Sequence, residues 1–493
     1  MERLFSVPVK ADVMYLRTDA AGGMSSDTYF GCFPCAPYAQ YTTLEDVRAC
    51  ATVTGRGVFR LRHLTDTGDA IVGEQAFEAW SIVGIPTCLS EHSGGCLYVQ
   101  IEGGAGVEDI WYEGEGEARP VRLAIIICTY RREARVRQNL ALLVREIGRD
   151  PLLKACVEVI CVDNGRTLSD VPEGVRLIPN RNFGGSGGYA RGMMAAEGCT
   201  HFWLMDDDIG IEPSMLRRAV TFLQHRREEI RLAAGMFPFE TPTVQHEATA
   251  RFDGYTFHSN GAGLDFRDRA SLLKNAAPRG QGLYGGWWSM VVPASGQLPM
   301  PFFIKLDDVE YGLRGTEPMA VMNGFGVWHE AFGNKANAWS EYYTTRNTLI
   351  LQSLYPWLGH SVVKTLVVRL IKAVACNEPK CMAAALKGVE DYVAGPEAFT
   401  RRDPEANHIT IVRAYGAELP GNMARRDMIK AAIMNAPLFI RCMRMFMKAC
   451  RLLAGRRDHA DWASMTTRTF WDAYFDHPGR TGMDSGDKLC LRR

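Results

Sequence analysis

Three aspartates stand side by side in Met205-Asp206-Asp207-Asp208-Ile209, directly after the apolar run Phe202-Trp203-Leu204. Adjacent carboxylates repel one another, so a strand end that gathers them calls for a cation. Hard ions such as Mg²⁺ and Mn²⁺ take oxygen ligands and often keep substrate phosphates in their shell. A metal bridging carboxylates to a diphosphate stabilises the charge that develops as the bond to that diphosphate breaks. The competing reading of the run is a solvated acidic loop. A second acidic pair, Asp307-Asp308, follows the apolar segment that starts at Phe302. Displacement of a diphosphate by a hydroxyl needs one carboxylate to accept the hydroxyl's proton. Asp308 is the expected base, with Asp307 second. His329 follows Gly326-Val327-Trp328 and can complete a metal shell that already holds two carboxylates, although a lone histidine is more often structural. Gly285-Gly286-Trp287-Trp288 sets two large aromatics after glycines. Exposed, they suit the C–H faces of a sugar; buried, they are a core pair.

These residues need elements to carry them. Val121–Cys128 and Val157–Val162 are continuous apolar, β-rich runs, and Phe202–Met205 is a third; a helical stretch is expected over Val136–Ile147. Fully apolar strands alternating with helices imply a mostly parallel sheet, with ligands at the carboxyl ends of its strands. Asn182-Phe183-Gly184-Gly185-Ser186-Gly187-Gly188 opens a helix at about Tyr189, where small residues let backbone amides approach a ligand. Its spacing is neither a dinucleotide fingerprint nor a P-loop. Before this region, Gly57–Arg62 and Cys96–Ile101 alternate with period two, which predicts antiparallel strands in a small sandwich. Glu113-Gly114-Glu115-Gly116-Glu117 reads as an exposed linker. From about residue 356 helical periodicity dominates, in Val362–Ala375 and in Met428–Leu453 with a break at Pro437. The expected modules are a β-sandwich over 1–118, an α/β core over 119–355 and a helical domain over 356–493.

With 493 residues, 47% of them hydrophobic, the chain can build several cores, and its formal net charge of zero gives no reason to expect nucleic acid as a partner. The 14 cysteines are scattered. Cys32 and Cys35 have CxxC spacing without a second pair, which favours buried thiols over zinc. The first residues lack a long apolar segment and no run approaches the ~18 apolar residues of a spanning helix, so a cytoplasmic location is expected. Arg441, Arg444, Lys448 and Arg451 recur at helical spacing opposite Leu438, Phe439, Cys442, Met445, Phe446, Ala449, Leu452 and Leu453. Such a helix either lies on an anionic membrane surface or packs on the core with a solvated basic face.

In order, Cys128–Arg132, Asn182–Gly188, Met205–Ile209, Trp287-Trp288, Phe303–Gly312 and Val327–His329 resemble family 2 glycosyltransferases of the GT-A fold, especially the galactofuranosyltransferases of mycobacterial galactan synthesis. Thr28–Pro34 is similar to the N-terminal β-sandwich of that group. The resemblance implies an α/β GT-A core, a Rossmann-like mixed sheet, between a β-sandwich and a helical domain. It implies inverting transfer of galactofuranose from UDP-galactofuranose to a cell-envelope or lipid-linked glycan. Asp206, Asp208 and His329 then hold Mn²⁺ or Mg²⁺. Thr129, Arg132, Asp163, Asn182 and Asp207 face the nucleotide sugar, Asp308 is the base, and Trp287 and Trp288 line the acceptor site. Arg131 replaces a common Asn, and Thr344 stands where polymerising members have a histidine. The resemblance therefore speaks to the donor more than to the acceptor. Another nucleotide sugar, a UDP-pyranose or dTDP-rhamnose, and a catalytically silent carbohydrate binder are the alternatives; self-association into a homo-oligomer is left open.

Overall fold

The computed structural model describes residues 1–103, 105–276, 282–331, 337–358, 362–417, 436–455 and 460–476. Two antiparallel sheets form the N-terminal region. One orders the strands Glu2–Val7, Gly106–Glu115, Asp46–Thr54 and Ser81–Cys88; the other centres on Cys96–Glu102 and Gly57–Thr65, with Gly68–Phe77 at its edge. Alternate residues Val47, Ala49, Ala51 and Val53 of the first and Phe59, Leu61, Val99 and Ile101 of the second are buried in one cluster. The Glu113–Glu117 stretch is not a free linker. Glu113, Gly114 and Glu115 pair with Arg48, Val47 and Asp46, because the first strand and Asp46–Thr54 flank their strand on both sides.

A seven-stranded mixed sheet follows, in the order Val175–Pro179, Val157–Asp163, Leu123–Thr129, His201–Asp206, Ser289–Pro293, Arg231–Ala233, Met319–Ala320. The first four are mutually parallel, and Ser289–Pro293 runs against both of its neighbours. Register puts Thr129 opposite Asp163 and Cys128 opposite Asp206, so three strands deliver their last residues to one edge. The expected helix spans Glu133–Arg149 and buries Val136, Leu140, Leu143 and Ile147, one stripe at helical spacing. Helix Ser214–Gln224 carries Arg218, fully buried, which donates to the carbonyls of Phe30, Cys32 and Asn323 and lies 3.4 Å over the Phe5 ring. One apolar cluster accordingly runs from Leu4 through Ile125 to Val327 without a break between sheets.

The C-terminal helices Ser340–Leu354, Val362–Ala375, Lys380–Val393 and Ala436–Ala454 surround a second core. Part of the amphipathic stretch expected from Met428, residues 428–435, lies outside the described residues. In Ala436–Ala454, Cys442, Ala449 and Leu453 are buried and Arg441, Arg444, Lys448 and Arg451 are exposed, but so are Phe439, Ile440 and Met447. The apolar side is thus wider than the core can cover. Cys32 and Cys35 are fully buried, and the one potential metal cluster among the described residues lies elsewhere.

Candidate active site

Asp206 closes its strand, half-buried, and its Oδ1 accepts from Tyr189 Oη at 3.1 Å. Burial and repulsion from Asp208 push its carboxyl up to about 6, against an opposing pull from His329. Asp207 turns inward, where Thr129 Oγ1 donates at 2.6 Å and Arg132 at 2.8 Å. Asn139 Nδ2 donates to the carbonyls of Asp207 and Ile209, pinning the turn from below. Asp208 accepts from Arg132 at 2.6 Å and lies 3.2 Å from His329 Nε2. His329 Nδ1 sits 2.6 Å from the Glu330 carbonyl, which can only accept, so Nδ1 carries a proton and Nε2 faces the carboxylates.

Ligand atoms of Asp206, Asp208 and His329 lie within 4.8 Å of one another. Two oxygens on opposite sides of an Mg²⁺ or Mn²⁺ ion stand roughly 4 Å apart, so the cluster fits a hard cation completed by a nitrogen. The three residues expected to share a metal are therefore brought together.

The second acidic pair opens helix Asp307–Arg314. Burial and Asp308 raise Asp307 well above the usual carboxylate range, and Asp206 adds to the rise. Burial pushes Asp308 up to about 6 although its Oδ1 accepts the Val309 N–H at 2.8 Å; Glu247 raises it further and Lys305 lowers it. Asp307 thus feels the charge of Asp206, whereas Asp308 feels Glu247 and Lys305.

Other expected residues are placed differently. Asp163 is buried with its carboxylate accepting the N–H groups of Gly165, Thr167 and Leu168, so it organises the loop after its strand and presents little to a ligand. Asn182 Oδ1 accepts the Gly184 N–H, and its Nδ2 donates to Glu405. The glycine run packs against protein. At Gly188 a Cβ would meet Cys128 Sγ at 2.1 Å, and at Gly184, with φ +72°, it would meet the Phe303 carbonyl at 1.9 Å. Gly188 brings helix Gly184–Ala195 onto its strand and Gly184 brings it onto the Phe303 loop, where the Gly185 N–H donates to the Phe303 carbonyl; these contacts, rather than the approach of backbone amides to a ligand, are what the small residues serve here. Trp287 and Trp288 are 5% and 8% exposed. Trp287 packs on Tyr189 and Tyr311, and Trp288 Nε1 donates to the Ala234 carbonyl. Neither offers an exposed face to a sugar; antiparallel pairing of the adjoining strand draws both into the core.

Sequence reasoning missed Tyr189, which bonds Asp206, and Tyr130, whose hydroxyl donates to Glu405 at 3.0 Å. It also missed Arg346 and Asn347 behind the second acidic pair. Tyr130 sits inside a recognised motif and could have been noticed; the others act through tertiary contacts that no local spacing announces.

Residues 124–270 match the family model Glycosyl transferase family 2. With the paired carboxylates at the sheet edge, residues 124–270 thus carry a glycosyltransferase family 2 domain on a mixed sheet, and the protein is a glycosyltransferase. It is 28% identical over 446 residues to the galactofuranosyltransferase GlfT2 of Mycobacterium tuberculosis, covering 78% of this chain and 67% of that protein. With GlfT2 of Mycolicibacterium smegmatis it shares 30% identity over 422 residues, 76% of this chain and 64% of that one. The chain thus spans about two thirds of the length of these relatives. Among solved structures, TarS 1-349 of S. aureus in complex with UDP shows a distant likeness, with a TM-score of 0.36 and 12% identity over 63% of this chain and 89% of that one.

Proposed function

We propose that the protein is an inverting, metal-dependent transferase that moves galactofuranose from UDP-galactofuranose to a hydroxyl of a cell-envelope or lipid-linked glycan. The observation that carries this reading is the Asp206–Asp208–His329 cluster beside a second acidic pair. The similarity to the mycobacterial galactofuranosyltransferases supports the choice of sugar. A bound Mn²⁺ or Mg²⁺ would hold the diphosphate and stabilise its charge on departure. Asp207, turned inward, holds Thr129 and the half-exposed Arg132, and Arg132 faces the donor, with Asn182 at the nucleotide end. Asp308 takes the acceptor hydroxyl's proton from the face opposite the leaving group. The chain is read as three modules, a β-sandwich over 1–118, the catalytic domain over 119–355 and helices over 356–493. A panel of nucleotide sugars, each with and without chelator, tests the proposal. Transfer from UDP-galactofuranose alone, abolished by chelation, is expected; preference for UDP-pyranoses or dTDP-rhamnose would remove the donor assignment.

A lipid-linked acceptor gives a use for the surface of helix Ala436–Ala454. Phe439, Ile440 and Met447 are exposed beside Arg441, Arg444, Lys448 and Arg451, and Val363, Val368 and Ile371 are exposed on helix Val362–Ala375. Exposed apolar side chains among cations suit an anionic bilayer surface. No helix among the described residues is long and apolar enough to cross a membrane, which fits contact from one side.

A further inference from the structure

The loop that delivers the second acidic pair is strained, and the helix behind it holds the strain. Phe303, Lys305 and Leu306 have φ of 71°, 68° and 67°, and Leu306 is the residue before helix Asp307–Arg314. Side chains with a Cβ rarely adopt this left-handed region, and they stay there only where the surroundings over-determine the backbone. Here the surroundings come from two sides. From helix Gly184–Ala195, Ser186 Oγ accepts the Phe303 N–H at 2.9 Å and the Gly185 N–H donates to the Phe303 carbonyl at 2.9 Å. From helix Ser340–Leu354, Asn347 Nδ2 donates to the carbonyls of Ile304 at 3.2 Å and Lys305 at 2.7 Å. Arg346 donates to the Phe302 carbonyl at 2.8 Å.

Asn347 is fully buried and its amide group is committed to this loop at both donors, while its Oδ1 accepts from Arg346 Nε at 2.9 Å. Arg346 is itself fixed over the rings of Tyr342, Tyr343 and Phe399. The clamp therefore has a rigid back and a soft front, and the front is the backbone that aims Asp307 and Asp308.

We propose that Asn347, braced by Arg346, is a positioning residue for transfer. Its two hydrogen bonds hold the left-handed loop so that Asp308 stands at a fixed place opposite the Asp206–Asp208–His329 cluster. The inference rests on the reading of Asp308 as base. Donor binding belongs to the other half of the site, so loosening the loop slows the chemical step and leaves nucleotide affinity alone.

The test uses the full-length protein with Asn347→Ala and the isosteric Asn347→Asp, which keeps the oxygen facing Arg346 and removes the donors. For each, kcat, UDP affinity by calorimetry and the melting temperature are measured beside Asp308→Ala. The expected result is a kcat lower by tenfold or more, about 1.4 kcal/mol in the barrier, with UDP affinity within about twofold of the parent. Should Asn347→Ala not fold, Asn347→Asp decides. Parent-like kcat in both variants, with Asp308→Ala inactive, overturns the positioning role and leaves the base in place. A parallel fall of kcat, UDP affinity and melting temperature also overturns it, because that is what a merely structural residue would show. If Asp308→Ala itself transfers normally, the base reading fails instead.

Discussion

Asp206 and Asp308 are both half-buried carboxylates pushed up to about 6, yet their neighbours give them different work. Asp206 repels Asp208 and has His329 at hand, a pattern that a cation relieves. Asp206→Asn is expected to weaken Mn²⁺ binding at least tenfold by calorimetry, since losing even a group that only supports a metal ligand costs about 10–100-fold. As the proposed base, Asp308 must be ionised to accept a proton, so kcat should fall about tenfold per unit as pH drops below roughly 6; a flat profile down to pH 4.5 would speak against it. Asp307 is raised by burial and by Asp308. A carboxyl whose folded value lies above its unfolded one binds its proton more tightly when folded. Its stabilising contribution is complete below about pH 4 and is lost as pH rises through the folded value. Asp307→Asn should therefore melt higher than the parent near neutral pH, and the gain should vanish near pH 4.

Elements set these residues in place, and they were unequally legible. The parallel strands announced themselves as unbroken apolar runs, and their polar ends lie at one sheet edge as such runs demand. The loop at Phe303–Leu306 gave no sign, because phenylalanine, lysine and leucine do not advertise left-handed backbone. The Trp pair was ambiguous for a related reason: burial depends on which strand pairs beside it, and residue type is silent on that. Asp163 has the right residue type at a strand end, but its oxygens are taken by local amides. The glycines of helix Gly184–Ala195 look permissive and are in truth contact surfaces. Gly192→Ala would drive a methyl to 2.2 Å from Ile126 Cγ2, so about 1–3 kcal/mol of stability should be lost by denaturant titration. Gly148, with open space around its added Cβ, should gain up to about 1 kcal/mol on the same change. Equal effects at the two positions would contradict the packing account.

At the scale of the whole molecule, the helical region does more than terminate the chain. Glu405 bonds Tyr130 and Asn182, and Asp403 pairs with Arg181 at 2.8 Å. Sequence periodicity suggests modules but is silent on these long-range contacts, which join residues up to 275 positions apart. The outer face of the same region bears the proposed membrane contact. The parent protein should sediment with anionic liposomes, and replacing Arg441, Arg444, Lys448 and Arg451 together with Glu should release it; unchanged sedimentation would remove the electrostatic part of that proposal. The central claim is a site in two halves, with metal and donor on one side and the base on the other. Asp308→Ala, assayed for both donor binding and glycosyl transfer with Mn²⁺ present, tests it most directly. The account predicts parent-like donor affinity with transfer reduced by at least about a hundredfold. Undiminished transfer, or loss of donor binding in step with transfer, would contradict it.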